Sequence, residues 1–180
     1  FDTGPNIHGA LAAWQRKTFD EAVKPALAQA GWPVAFYVNM QNWDDLRAGL
    51  VEGVSAPRFS TGYAAASGRP GLLLESHMVK DHKTRALATL ATLREVLRAI
   101  AADPAALKTA VAAADGERFD SDTPVPLAFD LAETTQPMDF KGYAETRTPS
   151  EVSGGTWVQY DQSRPETFSL PVQREITVTA

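Results

Sequence analysis

The run Gly71-Leu72-Leu73-Leu74-Glu75-Ser76-His77 constrains this chain more than any other feature. Successive residues of a strand point to opposite faces, so consecutive leucines make a strand that is apolar on both. Such a strand belongs inside a sheet covered on both sides by helices, as in α/β folds. The flanking sequence agrees. Downstream, Leu87, Leu90, Leu93, Leu97 and Ile100 share one face of a helix expected from about Lys83 to Ala101. Asp103-Pro104 ends it and opens a second helix running to about Ala114.

Upstream, Leu11, Trp14, Phe19, Val23 and Leu27 predict a helix over residues 9–30, with Pro25 as a flaw and Gly31 as its C-terminal cap. Val34 to Val38 reads as a second buried strand. The polar stretch Asn39 to Pro57 reads as loop, with one helical turn from Asp44 to Leu50. Helix, strand, strand, helix is an α/β order. Composition changes at Asp115-Gly116, after which helical periodicity stops. Short β-rich runs follow at Val125 to Leu131, Asp139 to Tyr143, Trp157 to Tyr160, Thr167 to Val172 and Ile176 to Thr179. The expected organisation is therefore an α/β part over 1–115 and a β-rich extension over 116–180.

Composition removes several function classes. With 44% hydrophobic and 22% charged residues the chain is of ordinary globular type, and a net charge of -5 argues against a nucleic-acid surface. Lys80, Lys83 and Arg85 sit beside Asp81 and read as a solvated helix start. No stretch approaches the ~20 apolar residues of a membrane span. The absence of cysteine excludes disulfides, thiolate zinc sites and cysteine nucleophiles. Phe1-Asp2-Thr3-Gly4-Pro5 reads like the interior of a longer polypeptide.

Candidate chemistry lies between Arg58 and Arg85. Glu75 ends an apolar strand before a helix, where open α/β sheets present ligand-binding groups. It suits a general base, or else a strand end that accepts hydrogen bonds from the following loop. Glu75, His77 and His82 do not match a standard metal-ligand spacing, and no metal is expected on them. Arg58 could pair with a carboxylate, and Tyr63 could donate to an oxyanion or simply pack. No nucleophile elbow, phosphate-binding glycine loop or dinucleotide fingerprint occurs.

The segment Pro57-Arg58-Phe59-Ser60-Thr61-Gly62-Tyr63, followed by Arg69-Pro70-Gly71 through Glu75-Ser76-His77-Met78-Val79-Lys80 to Arg85, resembles a bacterial branch of the zinc carboxypeptidase family. The resemblance covers about residues 1–115, and the tail resembles the β-rich extension that follows the peptidase domain. It implies the C-terminal portion of a three-layer α/β/α domain hydrolysing peptide or amide bonds. Glu75 would be the general base for a zinc-bound water, Tyr63 the mobile tyrosine, and Arg58 a contact for a substrate carboxylate. The family binds zinc through an H-x-x-E pair and a later histidine. This chain has no H-x-x-E: His8, His77 and His82 are followed three residues on by Leu11, Lys80 and Arg85. The ligands are expected upstream of Phe1, and the chain alone is expected to be inactive and metal-free. The alternative is a non-catalytic binding or structural module derived from that fold. The resemblance further implies a peptide substrate and a periplasmic or secreted protein, and exposed surfaces of a partial domain imply self-association.

Overall fold

The computed structural model describes residues 7–78, 80–118, 122 and 128–178, with side-chain surroundings given up to 175. The chain combines helices with a mixed five-stranded sheet, a mixed α/β composition. It divides into two compact units. Within 7–36 and 54–118 the first unit holds five helices, α1 (Gly9–Thr18), α2 (Lys24–Gln29), α3 (Ser60–Ala66), α4 (His82–Ala102) and α5 (Pro104–Gly116). The second draws its strands from 37–53 and 129–176.

The helix expected over 9–30 forms, but not uniformly. A π-helical turn, Phe19–Val23, joins α1 to α2 just before Pro25. Proline has no N–H for the α-helical bond back to residue 21, and a wider turn accommodates that loss. The helix ends in a Schellman arrangement. Gly31, at φ 81°, allows Trp32 N–H to reach the Leu27 carbonyl at 2.8 Å and its own N–H to reach Ala28 at 3.2 Å.

Two apolar clusters hold this unit. Ile7 and Leu11 pack with Ala65 of α3 and Ala110 of α5. Phe19, Val23 and Leu27 are buried beneath Trp32, Val34 and Leu72 and beside Ala91, Val96 and Ala99 of α4. The leucine face of α4 is thus not its packed face. Its small residues pack inward, Thr92 among them at 3% exposure, while Leu87, Leu90, Leu93 and Leu97 are 41% to 64% exposed. Small side chains let helices approach closely, which explains why that face packs; nothing among the described residues covers the leucines.

The two strands expected in this unit do not pair. Residues 71–77 carry the burial alternation of a strand, with Leu72, Leu74 and Ser76 half-buried and Leu73, Glu75 and His77 exposed, but form no ladder. Val34 to Val38 likewise lies outside the sheet, whose first strand starts at Asn39. A strand exists only through its neighbours' hydrogen bonds, and these segments have none among the described residues.

The second unit also departs from expectation. The stretch expected as loop supplies β1 (Asn39–Met40), a 3-10 turn at Leu46–Ala48 and β2 (Leu50–Glu52). Strand β1 pairs antiparallel with β2, and β2 runs parallel to β5 with Leu50 opposite Val172. The separate short strands expected in the tail merge into long ones. β3 (Ala128–Leu131) lies beside β5, while β4 (Gln136–Pro149) and β5 (Thr156–Val178) form one antiparallel hairpin. Residues 125–127 and 179 of the expected strands, like Phe1 to Pro5, lie outside the described residues. Continuity through the polar middle of β5 comes from a register shift opposite Tyr143/Ala144, where Asp161 accepts from the Ser163 N–H (3.0 Å) and hydroxyl (2.6 Å). Leu50, Leu170 and Val172 form the core of this unit, with Met40, Met138 and Phe140 against them.

Beside that core, the Glu145 carboxylate accepts from Arg147 and Arg47, both at 2.9 Å, and its side chain is only 10% exposed. The Arg147 bond, then that of Arg47, outweighs desolvation and holds the carboxyl below its ordinary value. A lowered folded value means stabilisation that is complete above the unfolded value of 4.5 and is lost as pH falls through the folded one. Glu145→Gln is therefore expected to cost about 1–2 kcal/mol near pH 7. Its urea-unfolding midpoint should converge with that of the parent protein near about pH 3; a constant gap across that range contradicts the assignment.

Candidate functional site around Glu75

The approach to Glu75 is built by close backbone packing. Helix α3 buries Thr61, Gly62 and Ala65, and Thr61 Oγ1 donates to Ser55 Oγ at 3.1 Å. A Cβ at Gly62 would run into the carbonyl oxygens of Ser55 and Ala56. A Cβ at Gly71 would stand 2.9 Å from that of Ala64. Both glycines of the Pro57–Gly71 stretch therefore serve contact distance, and together they bring residues 71–77 against α3. Arg69 completes the join, its guanidinium meeting the Asp115 carboxylate at 2.6 Å and 3.3 Å.

From there the chain runs along α4, leaving an open groove of about 760 Å³ between them. Glu75 and Ser76 line one side; His82, Arg85 and Thr89 line the other, with Leu74, Leu90 and Leu93 as the apolar part. The Ser76 and Thr89 hydroxyls are 3.5 Å apart, and Thr89 donates to the Arg85 carbonyl at 2.9 Å. Arg85 Nε is buried with no hydrogen-bond partner among the described residues. Asp81 caps α4, accepting from the Thr84 hydroxyl and from its N–H at 3.0 Å, and these bonds hold its carboxyl below the ordinary range.

Glu75 is exposed, and its carboxylate has no hydrogen-bond or ion-pair partner among the described residues. Arg58 and Tyr63 are also exposed, Tyr63 at 66%, but neither lines the groove; the Arg58 guanidinium lies 5.0 Å from the centre of the Phe59 ring. His8 caps α1, its Nδ1 accepting from Ala10 N–H at 3.1 Å, which gives that histidine a structural task. The groove brings in Arg85 and Thr89, which chemistry-by-residue-type had not connected to Glu75. Their helical spacing held the signal, since His82, Arg85 and Thr89 follow at steps of three and four and so share a face.

No cluster of three or more histidine, aspartate or glutamate side chains that could hold a metal occurs among the described residues. Glu75 and His82 share the groove without a third ligand, so the residues present do not fit the zinc that the sequence resemblance implies. No helix among them is long and apolar enough to cross a membrane. Comparison with protein-family models, curated proteins and solved structures found no match.

Two outcomes are expected. Gly62→Ala should lower stability by about 1–3 kcal/mol, because overlap with two backbone carbonyls outweighs the helix-propensity gain of alanine; an unchanged thermal midpoint would refute the tight contact. Calorimetric titration of the chain with zinc should show no stoichiometric site tighter than about 1 μM, and such a site would mean that the histidines converge in a way this geometry does not contain.

Proposed function

We propose that this chain carries the general-base portion of a hydrolytic site of the zinc carboxypeptidase kind, acting on peptide or amide bonds. In this reading residues 1–115 belong to a three-layer α/β/α domain and 116–180 to a β-rich extension. The observation that carries it is the unengaged Glu75 carboxylate at the rim of an open groove, at the end of a strand-like apolar run. A carboxylate committed to no partner can take a proton from water, and a groove of about 760 Å³ is of the size that takes small ligands.

The roles follow from the side chains. Glu75 orients water and accepts its proton. Arg58 recognises a substrate carboxylate as a planar, permanently charged donor, and Tyr63 donates to developing oxyanion charge. Zinc would have to be held by residues other than those described, and no step is derived through it. The substrate class is a peptide, neither nucleic acid nor membrane lipid, and the setting is periplasmic or secreted.

A second reading is a non-catalytic binding or structural module of the same ancestry. The exposed leucines of α4 favour it, since solvent-facing apolar rows mark interaction surfaces, and the same row would support self-association.

The deciding experiment uses the longest natural polypeptide containing this sequence, assayed on C-terminally blocked and unblocked peptides. Glu75→Gln is expected to lower kcat by about 10²–10⁴ with KM little changed. Undiminished turnover removes Glu75 from the mechanism, and a polypeptide with no H-x-x-E anywhere leaves the binding module.

A further inference from the structure

Both strand-like segments of the first unit end at the same surface. Pro33 to Phe36 and Leu72 to Leu74 line opposite sides of a narrow groove, whose remaining wall includes Phe19, Leu27 and Thr92. Val34 and Leu72 pack on the same buried cluster, so the two segments lie over one helical layer without bonding to each other. On the far side of 71–77 runs the groove toward α4. The main-chain N–H and C=O groups of Gly71 to Ser76 have no partner among the described residues, nor do those of Val34 to Phe36.

That combination is chemically specific. A row of free backbone donors and acceptors beside apolar side chains is satisfied by another β-strand, which supplies complementary main-chain groups at every second residue. A polar loop would bury its own unpaired groups there, and a helix has no main-chain hydrogen bonds to offer. Area points the same way. The four exposed leucines of α4 present a few hundred Å², short of the ~800 Å² per partner of a standard interface. A second copy packed helix on helix would therefore leave both the groove and the free main chain unanswered.

We propose that residues 71–77 form the incomplete centre of a sheet in the first unit, and that they bind an extended apolar polypeptide segment by β-strand addition, with residues 33–36 as the second wall. The alternation of Leu72, Leu74 and Ser76 inward against Leu73 and Glu75 outward sets the register of the added strand. The inference is independent of hydrolysis and stands whether or not Glu75 is a base.

The test is an amide chemical-shift titration of the isotope-labelled chain with an acetylated, amidated heptapeptide of alternating threonine and valine. A second peptide carries N-methyl groups at alternate amides, which removes one hydrogen-bonding edge and leaves the side chains. Expected is saturable perturbation of the 71–76 and 34–36 amides, at least about tenfold weaker for the methylated peptide. Leu97→Asp, a change to a 64% exposed position, should leave this binding unaltered. Three results would overturn the proposal. These are no perturbation at those amides, equal binding of both peptides with shifts centred on α4, or protection of the 71–76 amides that rises with protein concentration alone alongside a dimer mass. The last would make a second copy the occupant.

Discussion

Burial of the stripe Phe19, Val23 and Leu27 sets the arrangement of everything around Glu75. That stripe is covered by two kinds of structure, the strand-like Trp32, Val34 and Leu72 and the small-residue face of α4. Each fully buried aliphatic side chain is worth about 1.5–3 kcal/mol, so losing one contact would loosen both partners together. The π-helical turn belongs to the same constraint. By widening the helix ahead of Pro25, it joins α1 to α2 in one continuous run and keeps Phe19, Val23 and Leu27 in a single buried cluster.

This packing leaves two kinds of surface unsatisfied in the first unit. Helix α4 turns alanines, Thr92 and Val96 inward and leucines outward. A helix apolar nearly all round is normally buried. Residues 71–77 are apolar on both faces and unbonded on both edges, which is the state of a central strand without its neighbours. Glu75 sits at that edge. Its exposure and lack of partners therefore have the same origin as the free main chain beside it, and any added strand would change its surroundings at once.

The second unit shows the opposite condition. Its strands find partners within the chain, and its buried charge is answered by the Arg147 and Arg47 bonds to Glu145. There the long hairpin tolerates a break in register because Asp161 and Ser163 satisfy the backbone locally. Hydrogen-bond completion, more than apolar content, separates the two units.

Local signals determined the helices. The period of Leu11 to Leu27, the Asp81 and Asp103 caps, Pro104 at a first turn and Gly31 past a last one are short-range properties, and the structure places helices at those positions. The prominence of Glu75 at the end of an apolar run was likewise legible, and so was the lack of a metal-ligand spacing. Pairing was not. Whether Val34 to Val38 or Leu72 to Ser76 becomes a strand depends on a neighbour far away in sequence or outside it, and no residue pattern encodes that neighbour's presence. The same limit hid β1 and β2, whose polar sequence looks like loop until Leu50 meets Val172. It also hid which face of α4 packs, since leucine periodicity marks an apolar face but not its partner. The sequence alone thus settled what is helical and where a reactive carboxylate stands; only the tertiary structure decided which apolar surfaces are covered, because coverage is a property of two segments and never of one.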